Sequence, residues 1–98
     1  EAMAAYVISE VEVLDEASLE EYRSRAKTSI EEHGGRYLVR AALPEAAEGD
    51  WPSQRRLVIL EFANMETARR WHSSESYAKA LAFRDRALSR RLVFVEGV

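Results

Sequence analysis

Hydrophobic and polar residues alternate from Tyr6 to Val13, with Val7, Ser9, Val11 and Val13 on one parity and Tyr6, Ile8, Glu10 and Glu12 on the other. A period of two predicts a strand. Asp15 then reads as an N-cap ahead of acidic residues, which the positive end of a helix favours. In "EASLEEYRSRAKTSIEEH" the residues Leu19, Tyr22, Ala26, Ile30 and His33 share one helical face, and Gly34 and Gly35 end the helix. "RYLVRAAL" predicts a second strand and "RRLVILEFA" a third. The polar connection "PEAAEGDWP" between them is longer than the usual hairpin loop of about 2–5 residues, which hints at use. Asn64 can cap a short helix, "METARRWH". A break near Ser73, with Ser73 or Ser74 capping again, precedes "ESYAKALAFRDRALSR" and a last strand, "RLVFVEGV".

The order βαββαβ predicts an α+β, ferredoxin-like domain: a four-stranded antiparallel sheet with two helices on one face. Sorting the strands by parity yields one nearly apolar set: Val7, Val11, Val13, Tyr37, Val39, Val58, Leu60, Phe62, Val93 and Val95, with Ser9 the exception. That set suits the face beneath the helices. The other set mixes Tyr6, Ile8, Leu38, Leu57, Ile59, Leu92 and Phe94 with Glu10, Arg36, Arg40, Glu61 and Glu96. Such a face is too apolar for water and too charged for dry core. Two copies closing sheet on sheet around a lined cavity would satisfy both conditions. A slip of one residue in any strand would carry its charges to the helix side.

Composition narrows the classes. The chain has 98 residues, 47% of them apolar, enough for one domain and one core. A domain of this size buries only about 60–65% of its unfolded surface, so pairing is a natural way to hide more. Fourteen basic and 17 acidic side chains leave a net charge of −3, which opposes nonspecific nucleic-acid binding and offers no polybasic membrane patch. There is no cysteine, hence no disulfide and no thiolate site. No apolar run reaches the ~18 residues of a membrane span. "EAMAAYVI" does not read as a signal peptide. Met3 reads as the native start, with Glu1 and Ala2 an added remnant and residues 3–98 a single domain. A cytoplasmic location is the default.

"AAYVISEVEV", "HGGRYLVR", "EGDWP", "RRLVILEF" and "RLVFVEGV" together resemble the bacterial domain-of-unknown-function 1330 family across residues 4–98. The resemblance implies the dimeric α+β barrel superfamily, which holds antibiotic-biosynthesis monooxygenases, muconolactone isomerases, haem-handling enzymes and regulatory ligand binders. Where the family often has Ser-Pro-Glu-Tyr, residues 74–77 read Ser-Glu-Ser-Tyr, so any ligand role of that glutamate is lost at Ser76.

Candidate chemistry follows from the mixed face. Arg36 and Arg40 could clamp a carboxylate or phosphate with their planar forks, or pair with Glu10 or Glu61. Glu61, and likewise Glu10, could act as a general base if removed from water, or serve as a structural ion-pair partner. His33 could donate to a ligand, or simply cover the helix C-terminus; it and Glu61 are the catalytic candidates. Tyr6 could reach a ligand through its hydroxyl. Trp51 could cap the cavity or anchor the dimer. Trp71 and Tyr77 suit core packing, and His72 an exposed helix end. The two histidines lack metal-ligand spacing, and no metal or cofactor is expected. No nucleotide-binding glycine motif and no RNA-reading aromatic strand is present.

The expected protein is thus a homodimer holding a small, anionic, partly apolar organic molecule between its two sheets, with no nucleic-acid or membrane partner. A cofactor-independent monooxygenase- or isomerase-like enzyme is one alternative; a structural dimer without ligand is another.

Overall fold

The alternation in the first segment becomes strand β1 (Ala5–Val13), whose inward residues are buried in turn. In the computed structural model, which describes residues 3–52 and 54–98, it is followed by α1 (Glu16–Glu32), β2 (Arg36–Ala42), β3 (Arg56–Phe62), α2 (Met65–His72), α3 (Glu75–Ala87) and β4 (Leu88–Glu96). Glu1 and Ala2, read above as a remnant, lie outside the described residues. The sheet is wholly antiparallel in the order β2-β3-β1-β4, the ferredoxin-like arrangement.

Local signals set the element ends. The Asp15 carboxylate accepts from the Ser18 amide at 3.0 Å, and hydrogen bonding to Ser18, through its side chain first and its backbone second, holds the Asp15 carboxyl below its ordinary pKa. Asn64 Oδ1 accepts from the Thr67 amide at 2.8 Å, and Ser74 Oγ from the Tyr77 amide at 3.1 Å. The expected break in the second helical segment is therefore real, and Ser74 is the residue that restarts it. The two glycines after α1 serve different ends. Gly34 takes a left-handed φ of 71°. A Cβ on Gly35 would stand 2.5 Å from the Phe62 ring.

The helices cover one sheet face. Trp71, Tyr77 and Phe62 are nearly inaccessible beneath them. The Trp71 ring lies 5.3 Å from Phe62 and 4.3 Å from Tyr77. Its indole N–H donates to Ser29 Oγ at 3.0 Å, which in turn donates to the Ala26 carbonyl at 2.8 Å.

The fourth strand departs from the sequence expectation twice. The helix stops at Ala87 and the strand starts at Leu88. Its parity is also reversed: Leu92 stands opposite Ser9 and Phe94 opposite Val7, so these face the helices, while Val93 and Val95 are 47% and 42% exposed on the open face. Both parities of "RLVFV" are apolar, and pairing with β1 decides between them.

The second strand departs as well. Two residues lie outside the one-to-one pairing with β3, Leu38 between Tyr37 and Val39, and Ala41 between Arg40 and Ala42. Each bulge inverts the parity that follows. Val39 therefore pairs with Ile59 on the open side, and Arg40 with Val58 on the helix side. Ala41 takes a left-handed φ of 59° to close the second bulge.

Candidate functional site

The reversed fourth strand and the bulged second strand bring arginines to the side where the parity sort saw only apolar groups. β4 carries Arg90 opposite Val11, beneath the helices. Arg40 arrives at the far side of the same layer, its guanidinium 4.6 Å from the centre of the Tyr37 ring. Between sheet and helices lies a cavity of about 60 Å³. Its walls are apolar and aromatic, including Val7, Leu60 and Trp71; its polar groups come from Ser9, Tyr22, Arg23, Tyr37, Arg40 and Arg90; no carboxylate lines it. This space lies inside one chain, under the helices; the chamber expected between the sheets of two copies is a separate one.

Hydrogen-bond accounting defines what this cavity offers. Arg90 donates from Nη1 to the Tyr22 hydroxyl and from Nη2 to the Tyr77 hydroxyl. A guanidinium has five N–H groups, so three find no partner among the described residues. The two hydroxyls lie 2.8 Å apart. One donates to the other, which leaves one phenolic proton unspent. Ser9 is 3% exposed and its Oγ has no partner among the described residues. Among the described residues no carboxylate pairs with Arg90. The cavity is rich in donors and lacks a negative charge, which is the complement of a small anion. Burial pushes the Tyr22 phenol far above its ordinary pKa, the neighbouring Tyr77 adding to it, so Tyr22 remains a neutral donor. Burial likewise raises Tyr37.

His72, expected at an exposed helix end, is instead half-buried. It sits edge-on to Phe94 at 5.6 Å and stacks near Tyr77 at 5.7 Å. Burial, then the Arg90 and Arg84 charges, hold its pKa below the ordinary histidine value.

The open face carries most residues the sequence singled out. Arg36 stands opposite Glu61 and pairs with it at 2.7 Å. Glu10 stands opposite Arg91, which donates to both its oxygens at 2.9 Å. Glu61 and Glu10 are thus engaged as ion-pair partners, and only Arg40 of this set reaches the cavity. Tyr6 lies in the same row as Glu61 and packs closely on Gly97, where a Cβ would meet its ring at 2.7 Å. Trp51 donates to the Arg55 carbonyl at 2.8 Å within its own loop. His33 caps α1, its Nδ1 2.8 Å from the Ser29 carbonyl, which can only accept; Nδ1 therefore carries the proton.

Sequence reasoning missed Arg90, Tyr22 and Tyr77 as a cluster. Three signals pointed there. Ser9 alone broke an apolar parity. Two tyrosines fell on core faces, where a buried hydroxyl needs a partner. "SRRLVF" has adjacent arginines in or beside a strand, so one of them must face the helices.

Comparison with known proteins follows the same lines. A family model described as a domain of unknown function (DUF1330) matches residues 4–98. No curated protein sequence matches. Among solved structures, a protein of unknown function from Rhodopseudomonas palustris is similar at a TM-score of 0.80 and 13% identity, over 100% of this chain and 85% of that one. SnoaB, a cofactor-independent oxygenase from Streptomyces nogalater, is similar at 0.66 and 12%, over 96% and 92%. A dimeric protein of unknown function with a ferredoxin-like fold from Bacteroides fragilis is similar at 0.61 and 12%, over 95% of each chain. Likeness at such identity speaks for the fold alone.

Proposed function

The chain belongs to the domain of unknown function 1330 family, and on that premise we propose that it is a cytoplasmic homodimer binding a small, partly apolar organic anion in the cavity beneath its helices. The observation that carries the binding reading is Arg90: a guanidinium drawn out of water, held by two neutral hydroxyls, with no carboxylate of the described residues to compensate it. Leaving such a charge half-buried is costly, and an anion arriving beside it recovers that cost. Arg40 and Arg23 extend the positive field along the cavity. The dimer draws support from the apolar open face and from the likeness to a dimeric protein of the same fold. The cytoplasmic location rests on the sequence reading alone.

A panel of small carboxylates in a thermal-shift assay tests the binding reading, because a ligand bound only to the native state raises its melting point. Some member should raise it for the parent protein and for Arg36→Met, and none for Arg90→Met. Equal shifts in all three proteins would refute a role for Arg90. A second reading, cofactor-independent oxygenase chemistry, is favoured by the likeness to SnoaB and by an apolar cavity walled with Trp71 and Tyr22. Its test is consumption of the bound acid with uptake of dioxygen; an acid returned unchanged leaves a binding protein.

A further inference from the structure

Resting on the anion site proposed above, we infer that the ligand is an aromatic monocarboxylate lying across two spaces, its carboxylate on Arg90 at the rim of the enclosed cavity and its ring outside, in the open groove along β4. Size divides the molecule in this way. An apolar cavity of about 150 Å³ accommodates benzene. By that measure a cavity of about 60 Å³ takes roughly two or three non-hydrogen atoms, a carboxylate and no more. The body of any larger acid has to stay outside. The groove beside the cavity has room for it, at about 650 Å³, within the about 300–1,000 Å³ usual for small-molecule sites. Leu88, Arg90 and Leu92 line both spaces. Arg90 therefore stands where one molecule can reach from the groove to the cavity.

Charge sets the headgroup. Arg84 is already paired with Asp85 at 3.0 Å. Arg90 is held only by the Tyr22 and Tyr77 hydroxyls and meets no carboxylate among the described residues. Its planar fork suits a carboxylate, and Asp85 on the groove wall would repel a second one. His72 is held below the ordinary histidine pKa, first by burial, so at neutral pH it adds no second positive charge. The groove wall sets the body. Leu92 and Phe94 rise from β4, Leu14 stands 57% exposed at the rim, and the His72 ring lies edge-on to Phe94 at 5.6 Å. A flat ring laid there covers apolar surface and meets two aromatic groups, whose contacts add to plain area burial. Leu88, Arg90, Leu92 and Phe94 share the helix-side parity of β4, so a second copy covering the opposite sheet face would leave these side chains open to a ligand.

Calorimetric titration of the full chain with acetate, hexanoate, benzoate, phthalate and inorganic phosphate tests this. Benzoate should bind about tenfold more tightly than acetate, through the apolar area of its ring. It should also bind more tightly than hexanoate, whose flexible chain must be ordered. Phthalate should gain nothing over benzoate, and phosphate should not bind. Leu14→Ser, at an exposed position where folding is not at stake, should narrow the gap between benzoate and acetate about threefold. Arg90→Met should abolish binding of both acids. Acetate and benzoate bound equally, or a gap unchanged in Leu14→Ser, would overturn the groove assignment and leave the anion site standing. Tighter binding of hexanoate, phthalate or phosphate than of benzoate would overturn the aromatic monocarboxylate. If no acid binds the parent protein, or benzoate binds Arg90→Met as well as the parent, both readings fall.

Discussion

Arg90 is the residue on which structural and binding roles divide. If its task were to hold the tyrosines, its loss would strand two buried hydroxyls. They already bond each other at 2.8 Å, so Arg90→Met, similar in length and without charge, should change unfolding free energy by less than about 1 kcal/mol in urea melts. A loss of about 3 kcal/mol or more would make Arg90 a structural residue. Gly35→Ala should behave oppositely: its Cβ would meet the Phe62 ring at 2.5 Å, and Phe62 is fixed in the core. The expected cost is about 1–3 kcal/mol, seen as a lower melting point. His72 adds a pH dependence. Its pKa is depressed from 6.5 by burial, so the unfolded chain takes up its proton first. Stability from this group is complete above about pH 6.5 and declines as pH falls through the lower folded-state value. Melting points across that window should fall less steeply in His72→Gln than in the parent. At this scale the sequence was readable where a residue broke a pattern, as Ser9 did. It was opaque where two neighbours were equivalent. Arg90 and Arg91 exchange faces with a one-residue shift of β4, and only pairing with β1 settles which goes inside.

At the level of elements, the caps were legible and the bulges were not. Asp15, Asn64 and Ser74 each sit before a helix with a side chain that accepts from an early amide. Ser74→Ala should cost about 1 kcal/mol in thermal melts and loosen the α2–α3 corner that holds Trp71. The bulges of β2 have no glycine to announce them; "RYLVRAAL" reads as one unbroken strand. Ala41 accepts a left-handed conformation there, which costs an alanine about 1–2 kcal/mol. Ala41→Gly should therefore raise stability by up to about 1 kcal/mol in denaturant titrations, glycine's larger unfolded-state freedom offsetting part of the gain. A clear loss would mean that the Ala41 methyl packs more tightly than its backbone strains. The first of these bulges, at Leu38, explains why Arg40 reached the cavity while Arg36, four residues earlier, stayed outside with Glu61.

Across the whole molecule the two sheet faces have different tasks. The helix side encloses the cavity. The open side has three rows across the sheet, in register: Arg36, Glu61, Tyr6 and Val95; then Val39, Ile59, Ile8 and Val93; then Ala42, Leu57, Glu10 and Arg91. The middle row is wholly apolar, and each flanking row neutralises its own charges through Arg36–Glu61 or Glu10–Arg91. A face so arranged can be covered without stranding a charge. Sedimentation should find a dimer at micromolar concentration, and Ile59→Arg, in the centre of the apolar row, should give a folded monomer. The fold class and the mixed polarity of this face were readable from alternation alone, but the cavity was not, because its charges depend on bulges and strand register.

The most direct test of the anion site is the amide map of isotope-labelled protein titrated with the small carboxylate that most raises its melting point. Shifts concentrated at Ser9, Val11, Tyr22, Arg90 and Leu92 are expected, on the sheet layer beneath the helices. Shifts confined to Arg36, Glu61 and their neighbours on the open face, or none at all, would contradict a binding site under the helices.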